Sequence, residues 1–362
     1  MASTASGLTF CKAEEKDGPA LVALMAKVLK DGDSLHADKY NLSKWIWKYF
    51  QMPGAEAQIY LCKENEAILG YYHCPVYRGS INGVPKKFAM VQDVGVSEAA
   101  RGKGAFRKLA EYATEQLMQS GVNFIYTFPN KKSIHTFLKY NAYQKIESYS
   151  TFVLPVKSAE VIAAKIKVLG LHHLAGLVID QLYKLKLSRA NKNYKLHVEE
   201  KLQNETVSLF LQFNRNFPNK LTRDYDYLHW RFEEKPHHKP QLFTLVKEDK
   251  IVAAAFISTE DLLGSKAGIL LDFACQTPAD FKQLVLHIKA QAAIHFKHKI
   301  GLLYTSVSSS NNALFSQAGF LKIPEKLNPR ALHLLGKNVS ENEREVFDPK
   351  SWNFTLSEWD VL

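Results

Sequence analysis

Cysteine is scarce: the chain has four in 362 residues, Cys11, Cys62, Cys74 and Cys275, and no CxxC spacing. Thiols so scattered exclude a disulfide framework and a CxxC-type zinc site, and they point to a reduced, cytoplasmic protein. No uncharged apolar run of roughly 18 residues occurs, so no spanning helix is expected. The opening MASTASGLTF lacks the basic stretch and apolar core of a secretory signal. Low-complexity tracts are also missing. Of the thirteen histidines, four come as the pairs His172-His173 and His237-His238 and three as the spread trio His287, His295 and His298. None has Cys or carboxylate partners at ligand spacing, so no metal is expected.

What is present is an ordinary globular balance, 46% hydrophobic and 23% charged, at a length that favours two domains. The net charge of +11 is uneven, because residues 157–195 hold eight Lys/Arg against Glu160 and Asp180. In that segment Ile162, Ile166 and Leu169, then Leu171, Leu174, Val178, Leu182 and Leu185, recur at helical spacing. The spacing predicts two helices parted by Gly170, with the charges on a solvated face. A basic face can also meet nucleic acid or an anionic surface, which is the alternative.

An internal repeat divides the chain. Trp47-Lys48-Tyr49 runs to Pro53, and Trp230-Arg231-Phe232 runs to Pro236, at an offset of 183 residues. In the same order follow Ile68-Leu69 over Ile251-Val252, Val91-Gln92-Asp93 over Leu270-Leu271-Asp272, and Ile125-Tyr126-Thr127 over Leu303-Tyr304-Thr305. Ala142-Tyr143 over Gly319-Phe320 closes the series, by which point the offset has drifted to 177. A drifting offset is what small insertions between two copies of one unit produce. The expected domains are 1–155 and 197–362, with 156–196 as a basic helical linker.

In the first copy a strand is expected near 8–11, helices over 19–29 and 42–50, and strands over 58–63 and 67–72. Asn82-Gly83 marks a two-residue hairpin. A strand over 88–96 leads into a glycine-bearing turn at 101–104 and a helix over 105–119. A strand at 123–128, a helix at 133–139 and a last strand at 144–154 complete the copy. The fold class is α+β, two units each with a mixed, mostly antiparallel sheet flanked by helices.

Val94-Gly95-Val96 followed by Arg101-Gly102-Lys103-Gly104 resembles the coenzyme A motif of the GNAT acyltransferases, and Asn130 with Asn141-Ala142-Tyr143 resembles the motif that follows it. The resemblance covers about 8–155 and extends more weakly to 197–335. It implies that Val94, Gly95 and Val96 pair with the pantetheine arm and that Arg101, Gly102, Lys103, Gly104, Ala105 and Phe106 cradle the diphosphate, with Asn130 nearby. The physics suits the motif: a helix N-terminus carries unpaired N–H groups and about half a positive charge, and glycine lets the backbone come close to an anion. Phe106 stands where the family has Gly or Ala, and Leu138 where many members carry a Tyr acid.

The expected function is therefore acetyl-CoA-dependent transfer to an unknown amine acceptor, by direct displacement. Asp93 is the first choice of base, and Tyr140 is the substitute acid, roughly 200° around the helix from Leu138. The recurrence of the aspartate as Asp272 argues for a structural role instead. The second copy has Asp272 to Asp280 where the glycine loop should be, so it is expected not to bind the coenzyme. It is expected to hold the acceptor near Tyr225, Tyr227, Trp230 and Arg231. Trp352, Phe354 and Trp359 suggest a C-terminal strand or clamp. Two other functions fit the same fold, an aminoacyl-tRNA-dependent transferase and a non-catalytic acyl-CoA binder. The intact glycine loop disfavours the first, and with it a nucleic-acid partner.

Overall fold

The computed structural model describes residues 7–28, 41–54, 57–131, 133–159, 161, 178, 180–181, 189–237, 239–262, 264–296, 300–328, 331–339 and 344–359. The helices expected in the basic segment lie almost wholly outside these residues. No helix among the described residues is long and apolar enough to cross a membrane, and the four cysteines are free thiols.

The chain begins with β1 (Leu8–Lys12), α1 (Gly18–Val28) and α2 (Leu42–Phe50), then β2 (Ile59–Glu64), β3 (Ala67–His73), β4 (Val76–Ile81) and β5 (Val84–Val96). Next come α3 (Ala105–Gln119), β6 (Phe124–Thr127), α4 (Ile134–Tyr140), β7 (Gln144–Ser148) and β8 (Ser150–Pro155). The second half holds β9 (Tyr194–Glu199), α5 (Asn204–Asn214), β10 (Lys220–Leu221), α6 (Tyr225–Leu228), β11 (Gln241–Lys247), β12 (Lys250–Leu262) and β13 (Ser265–Cys275). It ends with α7 (Pro278–His295), β14 (Leu302–Val307), α8 (Asn312–Gln317), β15 (Leu321–Ile323) and β16 (His333–Asn338). The architecture is α+β with two mixed sheets, each flanked by helices.

Local chemistry explains several boundaries. Asn41 caps α2 by accepting from the Lys44 amide at 2.8 Å, and Thr277 caps α7 ahead of Pro278. Asn82 and Gly83 have φ of 49° and 80°, the left-handed pair that a type I′ turn requires.

The residues pack into two compact units that interleave in sequence. Unit 1 is Met1–Glu147, Pro218–Thr222 and Leu332–Asp348, and unit 2 is Ser148–Phe217, Arg223–Ala331 and Pro349–Leu362. This differs from the contiguous division at residue 155. The expected last strand over 144–154 breaks at Tyr149, and its second part, β8, pairs with β14 from Ser150↔Val307 to Pro155↔Leu302. The Phe152 ring stacks on Phe315 at 5.4 Å inside unit 2. In return β16 lies between β6 and β7 in the sheet of unit 1. The sheet of unit 2 thus takes β8 from the first half of the chain, and the sheet of unit 1 takes β16 and the short β10, which pairs with β4, from the second.

In unit 1 the sheet has a core on each face. Leu109, Ala113 and Leu117 of α3 pack with Phe137 and Val91 on one side. Leu21, Met25, Trp45 and Tyr49 of α1 and α2 pack with Ile59, Leu61 and Tyr71 on the other.

The repeat read from the sequence reappears as matching contacts within each unit. Thr127 Oγ1 donates to Val91 O at 2.8 Å in unit 1, and Thr305 Oγ1 donates to Leu270 O at 2.9 Å in unit 2. Tyr49 stacks on His73 at 4.4 Å, and Phe232 stacks on Phe256 at 3.9 Å. Ala142 and Gly319 each follow a helix with positive φ, 56° and 93°, the left-handed cap that ends it.

Candidate active site

The centre of the site is a split between two parallel strands. β5 and β6 pair from Phe88↔Phe124 to Val91↔Thr127, where the Thr127 hydroxyl closes the last rung. Beyond Val91, β5 keeps only its other partner, β3, through Tyr72↔Val94, Tyr71↔Gly95 and Gly70↔Val96. The Ser97 amide donates to Leu69 O at 2.7 Å, so by antiparallel alternation Gly95 also bonds toward β3. Val94 and Val96 therefore turn their N–H and C=O groups to the open edge. Gly95 has its own packing reason, since a Cβ there would sit 2.7 Å from the Tyr71 hydroxyl and 2.8 Å from Val28.

The open edge runs into the loop of the expected motif. Arg101, Gly102, Lys103 and Gly104 are exposed. Gly102 and Gly104 have φ of 77° and 68°, and a Cβ on either would meet nothing within 4 Å. Their glycine character therefore answers to backbone conformation and leaves the space in front of them open. Gly104 is the N-cap of α3 and offers no side-chain cap. The first-turn amides of Ala105, Phe106 and Arg107 thus point outward without an intrahelical acceptor. Lys103 Nζ pairs with Glu64 at 2.8 Å and Arg101 with Glu98 at 3.3 Å, both near the surface. Phe106 turns into the core, 6.1 Å from Tyr72 and 6.3 Å from Phe137, and leaves the loop open. This arrangement suits a diphosphate in the cradle and an extended arm along β5.

Asp93 sits at the vertex of the split as an extra residue in β5. The register steps from Tyr72↔Val94 to His73↔Gln92, and Asp93 has φ of 44°. Val91 and Val94 consequently both pack on the α3 side, three residues apart. Strict alternation, which places Gln92 and Asp93 on opposite faces, is reset by this bulge. The Asp93 carboxylate accepts from Lys48 Nζ at 2.7 Å and from the Tyr49 hydroxyl at 2.8 Å. Burial alone would raise its pKa, but the Lys48 ammonium and these hydrogen bonds hold it below the ordinary carboxylate value.

His73 is fully buried beneath this pair. Trp45 Nε1–H donates to its Nε2 at 3.0 Å, and its Nδ1 lies 2.7 Å from the Asp93 carbonyl oxygen. An indole N–H only donates, so Nε2 is the bare nitrogen and Nδ1 carries the proton. Burial pushes the imidazole down to about 4, which keeps it neutral. Nothing in the motif pointed to His73. The one available signal was its alignment, 183 residues upstream, with Phe256 in the repeat.

The remaining expected residues lie apart from this cluster. Asn130 closes the turn that leads into α4, its side-chain oxygen accepting from the amide of Ser133, the N-cap residue, at 3.0 Å. Tyr140, at the end of α4, is 52% exposed and meets His135 edge-on at 6.2 Å.

In unit 2 the matching split is occupied by the chain itself. The Ser308 amide, just past β14, donates to Phe354 O at 3.0 Å, while Thr355 and Ser357 hydroxyls both donate to Asp272 on β13 at 3.2 Å. The C-terminal segment is thus a buried clamp of short turns rather than a strand. Tyr227, Trp230 and Arg231, expected near an acceptor, are core residues of unit 2, and Arg231 Nε donates to Ser357 O at 3.0 Å.

Residues 10–143 match the family model described as an acetyltransferase (GNAT) domain. Among solved structures, a GCN5-related N-acetyltransferase from Anabaena variabilis is similar at TM-score 0.65 and 10% identity, covering 92% of this chain and 73% of that one. A probable N-acyltransferase from Enterococcus faecalis gives 0.61 at 10% identity over 92% and 73%. The Saccharomyces cerevisiae N-myristoyltransferase with bound myristoyl-CoA gives 0.57 at 13% identity over 92% and 83%. At these identities the likeness concerns the fold. No curated protein sequence matches the chain.

Proposed function

We propose that this chain, whose residues 10–143 match the acetyltransferase (GNAT) domain model, moves an acetyl group from acetyl-CoA to an amine acceptor by direct transfer. The observation that carries the reading is the open edge of β5 at Val94 and Val96, running without interruption into the glycine-capped N-terminus of α3. The edge supplies alternate N–H and C=O groups to a pantetheine amide pair. Arg101, Gly102, Lys103, Gly104, Ala105 and Phe106 supply backbone amides and charge to the diphosphate, with Asn130 at the mouth of α4.

In the step itself the amine nitrogen attacks the thioester carbon, the oxyanion is received by the Val94 N–H, and the C–S bond breaks to release thiolate. A thiol pKa of about 8.5 makes thiolate a tolerable leaving group unaided. An acid at Tyr140 is therefore not required. Asp93, ionised against Lys48, is a weak proton acceptor at neutral pH, so it acts as a fixed charge and the amine proton passes to water.

The acyl group is short in this reading. Met90, Val91, Tyr126, Thr127 and His73, around the vertex, are at most 3% exposed, which favours a short acyl group. Unit 2 is a second, degenerate copy whose split is filled by residues 354–357, so one coenzyme binds per chain. Four free thiols fit action in the cytoplasm.

Thiol release measured with acetyl-, propionyl- and myristoyl-CoA over a panel of amines tests the reading. Turnover with the short thioesters is expected, with myristoyl-CoA at least about tenfold slower because methylenes forced into a packed region cost about 1–3 kcal/mol. Background release across the whole panel would end the enzyme reading.

A further inference from the structure

The two units provide an internal comparison. Each has a ring from its second helical segment stacked on a ring from the neighbouring strand, Tyr49 on His73 in unit 1 and Phe232 on Phe256 in unit 2. The stack therefore belongs to the shared fold. The heteroatoms belong to unit 1 alone, the unit with the open split and the glycine loop.

The backbone beside the stack differs in step with the ring. In unit 1, His73 stands opposite Gln92, and Asp93 is squeezed out with positive φ, its carbonyl turned to His73 Nδ1. In unit 2, Phe256 stands opposite Asp272 itself, the register step falls one residue earlier, and Asp272 does not have positive φ. A phenyl ring has no donor with which to hold a carbonyl. An aspartate in the left-handed region is strained, and it persists only where its surroundings fix it. The indole of Trp45 fixes the tautomer that presents the donor.

We propose that His73 is a positioning residue for acyl transfer: its Nδ1–H, given to the Asp93 carbonyl, holds the bulge that aims the Val94 N–H into the open split. The assignment rests on the acetyltransferase reading above for its kinetic consequence, but its structural half stands apart from it. The imidazole itself takes no proton in the reaction. Lys48 and Tyr49 secure the other end of the same residue by binding its carboxylate, so Asp93 is gripped at both the main chain and the side chain.

Two substitutions separate this role from simple packing. His73→Phe copies the ring of unit 2 and deletes the donor. His73→Asn is smaller but places an amide N–H where Nδ1 stood. With His73→Phe the acetyl-CoA Kd is expected to stay within about threefold, since the cradle is untouched, while kcat falls about 10- to 100-fold, short of the full loss of an oxyanion donor. His73→Asn is expected to recover most of that loss. Wild-type kcat in His73→Phe, or an Asn variant no better than the Phe variant, overturns the assignment. Crystal structures give the readout that needs no turnover. In His73→Phe, Asp93 is expected to leave the positive-φ region and take the register of Asp272. Asp93 keeping positive φ without the imidazole also overturns the assignment. Failure of the wild-type chain to transfer acetyl sinks the enzyme reading and leaves this structural test standing.

Discussion

Gly104→Val is expected to weaken acetyl-CoA binding about a hundredfold while the fold survives. Gly104 has φ of 68° at the N-cap of α3. For a residue with a Cβ that conformation costs roughly 1–2 kcal/mol, and more when the side chain is β-branched. The loop can relieve the strain only by rotating its amides out of the shared cradle. Hydrogen bonds to a charged group contribute about 1.5–3 kcal/mol each, so losing one strong bond accounts for the expected change. The fold is spared because the position is exposed and its Cβ direction is empty. Titration calorimetry reads the affinity and thermal melting the fold. An unchanged Kd would place the diphosphate elsewhere.

Arg223→Leu is expected to destabilise unit 2 by about 3–5 kcal/mol at neutral pH, the usual result of removing one partner from a buried ion pair. Arg223 lies between Asp272 at 2.7 Å and Glu358 at 2.5 Å, and all three side chains are at most 1% exposed. Its other donors reach Asn214 Oδ1 and Asn353 O, both at 3.2 Å. Burial alone would lower the guanidinium pKa, but the two carboxylates raise it above its ordinary value. Without the arginine, two buried carboxylates repel each other, and their folded pKa values rise above the unfolded ones. The unfolded state then binds fewer protons than the folded state, so the penalty is full at neutral pH and shrinks as pH falls toward about 4. Urea denaturation at pH 7 and pH 5 reads both effects. Adding Asp272→Asn and Glu358→Gln to Arg223→Leu is expected to recover much of the loss at pH 7. A pH-independent loss with no such recovery would assign Arg223 to packing alone.

The same network shows where the sequence could and could not be read. Asn82-Gly83, the glycines at 102 and 104 and the apolar face of α3 act through local conformation, so their residue types announce them. The repeat was legible because Thr127 and Thr305 make the same hydrogen bond in each unit and Trp47 and Trp230 are both buried. The exchange of β8 and β16 was not legible. Residues 144–154 have one unbroken strand character, and the break at Tyr149 shows only in the pairing, where β7 joins one sheet and β8 the other. Asp93 was singled out on position, yet its bulge came from a partner 20 residues away. His73 carries no motif, and its role appears only when the ring stacked on Tyr49 is compared with the one stacked on Phe232.

The C-terminal clamp belongs with these long-range effects. Trp352 and Phe354 looked like strand residues, but both are fully buried in unit 2, and their backbone carbonyls accept from Ser308 and Ser310. Residues 354–357 take the place beside Asp272 that stays open beside Asp93 in unit 1. Degeneration of the second glycine loop and closure of its split thus go together.

Calorimetric titration of acetyl-CoA into the whole chain tests the central claim most directly. The open β5 edge, the glycine cradle and the filled second split together predict one bound molecule per chain, with affinity about a hundredfold weaker in Gly104→Val. No heat at millimolar ligand, or two equivalent sites, would contradict the account.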